Sequence, residues 1–222
     1  MEAEKESVAS FDLWDVTNLS SCQITQGLKQ TAENRRVKLI GLSPNLAGIG
    51  SGADNSIEVV VDGDIGPFAW MLSQNQSIEI AGRAGAACGH SLVSGSILIR
   101  ADCDDYLGVY AAGGLIAVHG KGGNFVGYGL SGADVVVRSR CGLGVGARMS
   151  SGLLVIGNGV GNQLGAGMTG GTIYVRGPIG GLAEGVRSVK MGESDSLRLG
   201  LLLARAGLKA KASEFQVFRP ER

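Results

Sequence analysis

Short segments in which apolar residues alternate with polar or small ones recur along the chain. Examples are "SIEI" from position 77 and "SILI" from position 96. Alternation with a period of two is typical of a β-strand with one buried face. The β-branched residues and frequent glycines around these segments disfavour a helix. The second residues of the seven clearest segments are Ile57, Ile78, Ile97, Ile116, Val135, Leu154 and Ile173.

These segments are copies of one repeating unit. The first step between them is 21 residues, and every later step is 19. A unit of that length is too short for a strand–helix–strand crossover, which needs about 30 residues. It suits one coil of a parallel β-helix, in which apolar columns stack inside the coil. Nineteen residues do not divide into the six-residue subunits of a left-handed hexapeptide helix. We therefore predict an all-β fold: a single-stranded right-handed parallel β-helix of about seven 19-residue coils.

Glycine supports this interpretation. The chain of 222 residues contains 38 glycines, roughly 17% against a usual value of ~7%. An unbroken glycine column runs through five successive coils, as expected where coils turn corners. Its members are Gly89, Gly108, Gly127, Gly146 and Gly165. Because 44% of the residues are hydrophobic, the chain is not a disordered glycine-rich linker.

The segments that flank the repeats predict short helical caps at both ends. Leu19, Ile24 and Leu28 have helix-like spacing, and the following "RRVKLIGL" resembles a strand that leads into the first coil. Near the other end, "ESDSLRLGLLLARAGLKAKA" begins with acidic and finishes with basic residues, as a helix favours, with Gly207 as a candidate stop. We divide the chain into an N-terminal extension with a short helix (1–36), the β-helix (37–185) and a C-terminal helix with a tail (186–222).

Two features are candidates for partner docking. A column of cations follows the strands at the 19-residue step and is interrupted at Gly157; its members are Arg100, His119, Arg138 and Arg176. Cations stacked about 4.8 Å apart repel one another, so something acidic must neighbour them. An acidic residue of the chain such as Asp102, solvent, or the surface of an anionic partner would meet this need. The second feature is the tail, whose Phe215 and Phe218 suggest docking onto this chain or another.

The sequence presents no recognisable catalytic, cofactor-binding or metal-binding set. The two histidines occupy different columns, and the four cysteines form no C-x-x-C pair. Cys103 and Cys141 share a column two coils apart, about 10 Å, which exceeds the ~7 Å limit for a disulfide. The acidic "DCDDY" from position 102 is interpreted as an exposed corner, with cation binding as the alternative. The loops "GIGSG" and "GLGVG" precede strands, whereas a dinucleotide loop precedes a helix.

Charge and hydropathy limit the possible partners and the location. The chain has 20 basic and 20 acidic residues, which does not favour nucleic acid or an anionic membrane. No apolar run approaches the ~20 residues of a membrane span. The first eleven residues have mixed charge and do not resemble a signal peptide. With reduced thiols as the simplest interpretation of the cysteines, we expect a cytoplasmic protein.

Several coils resemble a known family. "DYLGVYAAGG" and "GAGMTGG" are similar to the G-x-G-x-G domain at the C-terminal end of the glutamate synthase large subunit, and the likeness extends over roughly residues 37–185. The matching positions are Asp105, Tyr106, Gly108, Gly113, Gly114, Gly165, Gly167, Met168, Thr169, Gly170 and Gly171. As a separate chain, the protein resembles the middle subunit of N-methylglutamate synthase-type complexes.

This resemblance implies a non-catalytic subunit of a hetero-oligomer in nitrogen metabolism. Its partners would be a class II glutaminase and an FMN-dependent synthase, which it would brace. FMN and iron–sulfur clusters would then belong to the partners, with no cofactor bound by this chain. Two alternatives stay open. The same coil type resembles one subunit of formylmethanofuran dehydrogenase and its counterpart in the formyltransferase/hydrolase complex, and the chain could instead be a self-contained β-helix that binds a ligand or assembles alone.

Overall fold

The structure is a computed structural model that describes residues 11–221. The expectation about a signal peptide concerns residues that lie almost entirely outside this range. The strands are β1 Asp12–Asp15, β2 Arg36–Ile40, β3 Glu58–Val61, β4 Ser77–Ile80, β5 Ser96–Ile99, β6 Leu115–Val118, β7 Ser131–Val137, β8 Ser151–Ile156, β9 Thr172–Val175, β10 Val186–Val189 and β11 Gln216–Pro220. The helices are α1 Ser21–Gln30 and α2 Glu193–Arg205, and a 3₁₀ turn covers Ala212–Glu214.

All eleven strands form one sheet, which is the wall of a β-solenoid. Strands β1 to β9 follow one another in parallel, and β11 then lies antiparallel between β9 and β10. The predicted repeat is confirmed by the strand register, because Ile97 pairs with Ile116 and Ile116 pairs with Val135. The sheet also includes β1 and β11, which come from the two flanking segments. The flanks are therefore integral to the sheet.

The interior of the solenoid is a ladder of apolar side chains. The alternate residues predicted to share one face are buried in one continuous core, as Ile116, Val135 and Leu154 illustrate with no exposed surface. Each coil therefore contributes the same inward positions, and neighbouring coils stack them directly above one another. At roughly 25 cal/mol per Å² of buried apolar surface, this ladder is the main source of stability.

Corner segments opposite the strands join the coils by hydrogen bonds that alternate in direction. In one of them the amide of Gly89 donates to the coil before it, at Ala69 (2.9 Å), whereas Ser91 donates to the coil after it, at Val109 (2.7 Å). The alternation requires left-handed backbone at alternate positions, and Gly89 has φ +67°. A Cβ at Gly89 would lie 2.7 Å from Cδ1 of Ile116, so this column also has no room for a side chain.

Helix α1 lies where the sequence predicts it and covers the first coils. It begins with a capping box between Ser20 and Gln23, and it buries Ile24 and Leu28 in the core. Its C-terminal carbonyls are bound by a buried amide, since Asn55 Nδ2 donates to the carbonyls of Leu28 (2.8 Å) and Thr31 (2.9 Å). The network continues through Gln76 to the indole of Trp70.

Helix α2 covers the solenoid in a different way from α1. The sequence places it at the end of the core, but the structure places it against the outer face of strands β6 to β9. That face is apolar there, unlike the face of β2 to β5, where ion pairs such as Lys38–Asp62 (2.8 Å) are exposed. The outer residues that α2 covers are Leu115, Ala117, Val136, Val155 and Tyr174. A second apolar face on these four strands therefore decides the position of the helix.

Within residues 11–221 there is no helix whose length and apolar character would let it cross a membrane.

Candidate interaction surfaces

The cationic column predicted from the sequence forms one line on the outside of the solenoid. Each member comes directly after a strand and continues the ladder by its backbone amide. The amides of Arg100, His119, Arg138 and Arg176 donate to the carbonyls of Ile80, Ile99, Val118 and Ile156 at 2.8–2.9 Å. Gly157 occupies the same line between Arg138 and Arg176, where a Cβ would lie 2.1 Å from the carbonyl oxygen of Arg138. The interruption is therefore a steric requirement of the fold.

Three members of the column have partners within the chain. Arg100 forms an ion pair with Glu79 (2.8 Å), and Arg176 forms one with Glu214 of the tail (2.9 Å). The bond from Arg176 holds the pKa of Glu214 below its ordinary value. His119 Nε2 lies 3.0 Å from the carbonyl of Ala206, and because a carbonyl can only accept, Nε2 carries the proton.

The fourth member of the column, Arg138, is exposed and has no hydrogen-bond or ion-pair partner among residues 11–221. The sequence offered Asp102 as an acidic neighbour of the column. In the structure, Asp102 Oδ1 accepts the backbone amide of Lys121 instead (2.7 Å). Arg138 is therefore the cation of this column that remains available to another molecule.

The candidate docking tail is folded onto this chain. Phe215 is 6% exposed and packs with the α2 residues on the outer face of the solenoid. Phe218 is 1% exposed and belongs to the interior core. Strand β11 pairs with β9 on one side and β10 on the other, which fixes both rings. In this conformation neither phenylalanine is offered to a partner.

A polar anchor joins the tail and α2 to the last coil. Tyr174 donates a hydrogen bond to Asp195 (3.1 Å), and the same carboxylate forms a short ion pair with Arg219 of β11. Its other oxygen accepts the amide of Gly192 (3.1 Å), which caps α2. Burial, together with the charge of Asp195, raises the pKa of Tyr174 to about 12.

Sequence reasoning missed an exposed apolar ridge on the corner segments. We use this name for Phe68, Leu72, Tyr106, Tyr110, Phe125 and Tyr128. Four of them are exposed by 43–53%. Tyr106 stacks on Phe125 with ring centres 5.1 Å apart, and Tyr110 meets Tyr128 edge to face at 5.6 Å. The ridge runs along the solenoid axis, because its members recur on successive coils.

Much of the ridge stands on strained backbone. Phe68, Leu72, Tyr106, Tyr110 and Phe125 all have φ between +54° and +62°. Left-handed backbone costs a non-glycine residue roughly 1–2 kcal/mol. The equivalent positions in other coils are often glycine, as at Gly48, Gly129 and Gly144. The signal that could have revealed the ridge is a large apolar residue at a corner position where the repeat elsewhere has glycine.

The acidic "DCDDY" segment has a structural role in the described chain. Asp105 Oδ1 accepts the amide of Asn124 (2.6 Å), and Asp102 makes the equivalent bond one corner earlier. A glycine lies eighteen residues after each of these carboxylates, and a Cβ at Gly120 would lie 2.3 Å from Asp102 Oδ1. The carboxylates therefore bind adjacent coils together.

Three cysteines are buried and one is exposed. Cys22 is exposed, whereas Cys88, Cys103 and Cys141 are buried free thiols. Burial raises the pKa of Cys103 to about 12. Among residues 11–221, no group of three or more His, Cys, Asp and Glu side chains is arranged to hold a metal ion.

Comparison with known proteins gives no relative from which a role can be read. No protein-family model matches the chain, and no curated protein matches it.

Proposed function

We propose that this protein is a non-catalytic structural subunit of a glutamate-synthase-like complex of the N-methylglutamate synthase type. In this role it braces a class II glutaminase and an FMN-dependent synthase, which carry the catalytic groups and cofactors. The proposal draws on the resemblance of the coils "DYLGVYAAGG" and "GAGMTGG" to the G-x-G-x-G domain. The observation that carries it is the apolar ridge.

The ridge has the properties of a protein-binding surface. Exposed apolar side chains that form a contiguous patch mark interaction sites more often than isolated ones do. Aromatic residues are also enriched in the cores of protein interfaces. The solenoid core does not need these side chains, because Tyr110 and Leu72 are exposed by 49% and 53%. Their backbone strain is therefore best explained by a partner that binds them.

The shape of the solenoid suits a brace. Its wall is a single continuous sheet, and consecutive coils are joined by backbone hydrogen bonds both along the strands and at the corners. A repeat protein of this kind presents an extended, rigid surface along its axis. The apolar ridge and the cationic column lie on different segments of each coil, so two partners can bind without competing for the same residues.

The test is a pull-down from the source organism with a doubly substituted chain. We expect Phe68→Gly combined with Leu72→Gly to fold normally, because glycine adopts the left-handed backbone without strain. We expect the same variant to lose most of the copurifying glutaminase or flavoprotein. Leu197→Ala is the matched control, since Leu197 is 65% exposed on α2, away from the ridge. Full retention of both partners by the double variant contradicts a binding role for the ridge.

The identity of the copurifying chains separates the alternatives. A metal-dependent amidohydrolase-like chain in place of the glutaminase and flavoprotein would favour a formylmethanofuran-type complex. A chain that elutes alone or only with copies of itself would favour a self-contained β-helix. Both of these results contradict the proposal.

A further inference from the structure

A pocket of about 340 Å³ lies between the cationic column and the segment that follows α2. Its floor is the outer face of the solenoid at Arg138, Gly157 and Arg176. Its opposite wall is formed by Leu208, Lys209 and the ring of Phe215. This volume is within the range of roughly 300–1,000 Å³ that is usual for small-molecule sites.

The pocket has an excess of positive charge. Arg138, Arg176 and Lys209 line it, and no Asp or Glu side chain does. Arg176 is already neutralised by Glu214 and also donates to the carbonyl of Gly157 (2.7 Å). Arg138 and Lys209 are exposed and have no hydrogen-bond or ion-pair partner among the residues that the structure describes. Two cations on opposite walls are thus available to one negatively charged group.

The gap at Gly157 makes room for that group. Arg138 and Arg176 are two coils apart on the column, about 10 Å at the usual strand spacing. Because Gly157 has no side chain, the floor between the two guanidinium groups is open. Glu214 already shows how a carboxylate fits against this column, since it binds Arg176 at 2.9 Å. An equivalent anion beside Arg138 would complete the pattern.

The remainder of the lining is apolar. Phe215 and Leu203 are buried with the helix side of the pocket, and Leu208 is half-buried beside them. A ligand that fits both parts therefore has a charged head and a short apolar body. A bare inorganic anion would leave the apolar wall unfilled, and a neutral apolar molecule would leave both cations unpaired.

We propose that this pocket binds a small organic anion, with its carboxylate or phosphate group between Arg138 and Lys209 and its apolar body against Leu208 and Phe215. Arginine binds either oxyanion in a bidentate manner, so both head groups share this chemistry. The proposal concerns the isolated chain and does not depend on any partner protein.

The test uses the full chain and four probes: hexanoate, hexyl phosphate, hexan-1-ol and inorganic phosphate. Binding is followed by ligand-observed NMR at low salt, with isothermal titration for the tighter probes. We expect hexanoate or hexyl phosphate to bind at least tenfold more tightly than hexan-1-ol and inorganic phosphate. The preferred head group distinguishes a carboxylate from a phosphate ligand.

Variants then locate the site. Arg138→Gln combined with Lys209→Gln should weaken binding of the preferred probe at least tenfold with an unchanged melting temperature, because both side chains are exposed. Arg140→Gln is the matched control, since Arg140 is exposed two residues from Arg138 but does not line this pocket.

The proposal is overturned if no amphiphilic probe binds the wild-type chain, or if the double variant binds it as well as the wild type. Partner pull-down that depends on Arg138, without binding of any probe, would assign the same cations to an acidic side chain of another protein and would also overturn it.

Discussion

Tyr174 on the outer face of the last coil donates a hydrogen bond to Asp195 in the first turn of α2, across 3.1 Å. The two residues are 21 positions apart in sequence and are both buried. Arg219 of β11 binds the same carboxylate. Asp195 is therefore the point at which the solenoid, the C-terminal helix and the last strand are held together.

Asp195→Ala should loosen the C-terminal segment. The substitution removes a carboxylate that binds Tyr174, Arg219 and the amide of Gly192. Because hydrogen bonds to charged groups contribute about 1.5–3 kcal/mol each, we expect the free energy of unfolding to fall by about 2 kcal/mol or more. Urea denaturation measures the loss, and limited proteolysis should show earlier cleavage after α2. Glu193→Ala, on the exposed side of the same turn, is the control and should have little effect.

The phenol of Tyr174 should make the fold sensitive to alkali. Its pKa is raised to about 12 in the folded chain from an ordinary value of 10.0. The unfolded chain therefore loses this proton first, so the contribution is complete below pH 10 and is lost as the pH rises toward 12. We expect wild-type stability to fall more steeply than that of Tyr174→Phe in this window. Parallel curves for the two proteins would show that Tyr174 is not held in its neutral form.

A charge in the central apolar column should prevent folding. Ile116 has no exposed surface and pairs with Ile97 and Val135 on the neighbouring coils. Ile116→Asp buries a carboxylate without a partner, which costs several kcal/mol. Ile116→Val should cost only about 1 kcal/mol. The control is Ser77→Asp, at an exposed outward position of β4. Circular dichroism and thermal melting measure all three, and a folded Ile116→Asp protein would contradict the register.

Two glycine-to-alanine substitutions should have opposite effects. At Gly120 a Cβ would lie 2.3 Å from Asp102 Oδ1 and 2.5 Å from the backbone of Ala101. Gly120→Ala should therefore force adjacent coils apart and lower the melting temperature. Gly200 lies within α2 with open space around it, so Gly200→Ala should stabilise the chain by about 0.5–1 kcal/mol. Equal effects in both variants would show that close packing of the coils is not the reason for glycine at position 120.

The thiols should react in two classes. Cys22 is exposed and the other three cysteines are buried. A disulfide reagent should modify one thiol rapidly in the native protein and all four in denaturant, since burial both blocks access and disfavours the thiolate. Cys22→Ser should abolish the rapid phase. Rapid reaction of a second thiol would indicate that the solenoid opens near Cys141 or Cys103.

Much of the solenoid could be predicted from the sequence because each coil repeats the same local pattern. The alternation at Ile116 and Val118 gives the strand, and the 19-residue step gives the register. The cationic column followed from the same step. These features depend on the period alone, so they do not require knowledge of distant contacts.

The positions of α2 and the tail could not be obtained in this way. They depend on a second apolar face at residues such as Val136 and Tyr174, which in sequence look like ordinary strand positions. The bond from Tyr174 to Asp195 joins segments that no periodicity relates. The apolar ridge was missed for a different reason, since its members are conspicuous only when their left-handed backbone is known.

The most direct test of the proposed function is purification of the tagged chain from its source organism under gentle conditions. The fractions are examined by mass spectrometry, visible absorption and an assay for glutamine hydrolysis. The proposal predicts that a glutaminase and a yellow flavoprotein elute with the chain in fixed ratio. A colourless preparation that contains only this chain, with its fold intact, would contradict the role of a structural subunit in such a complex.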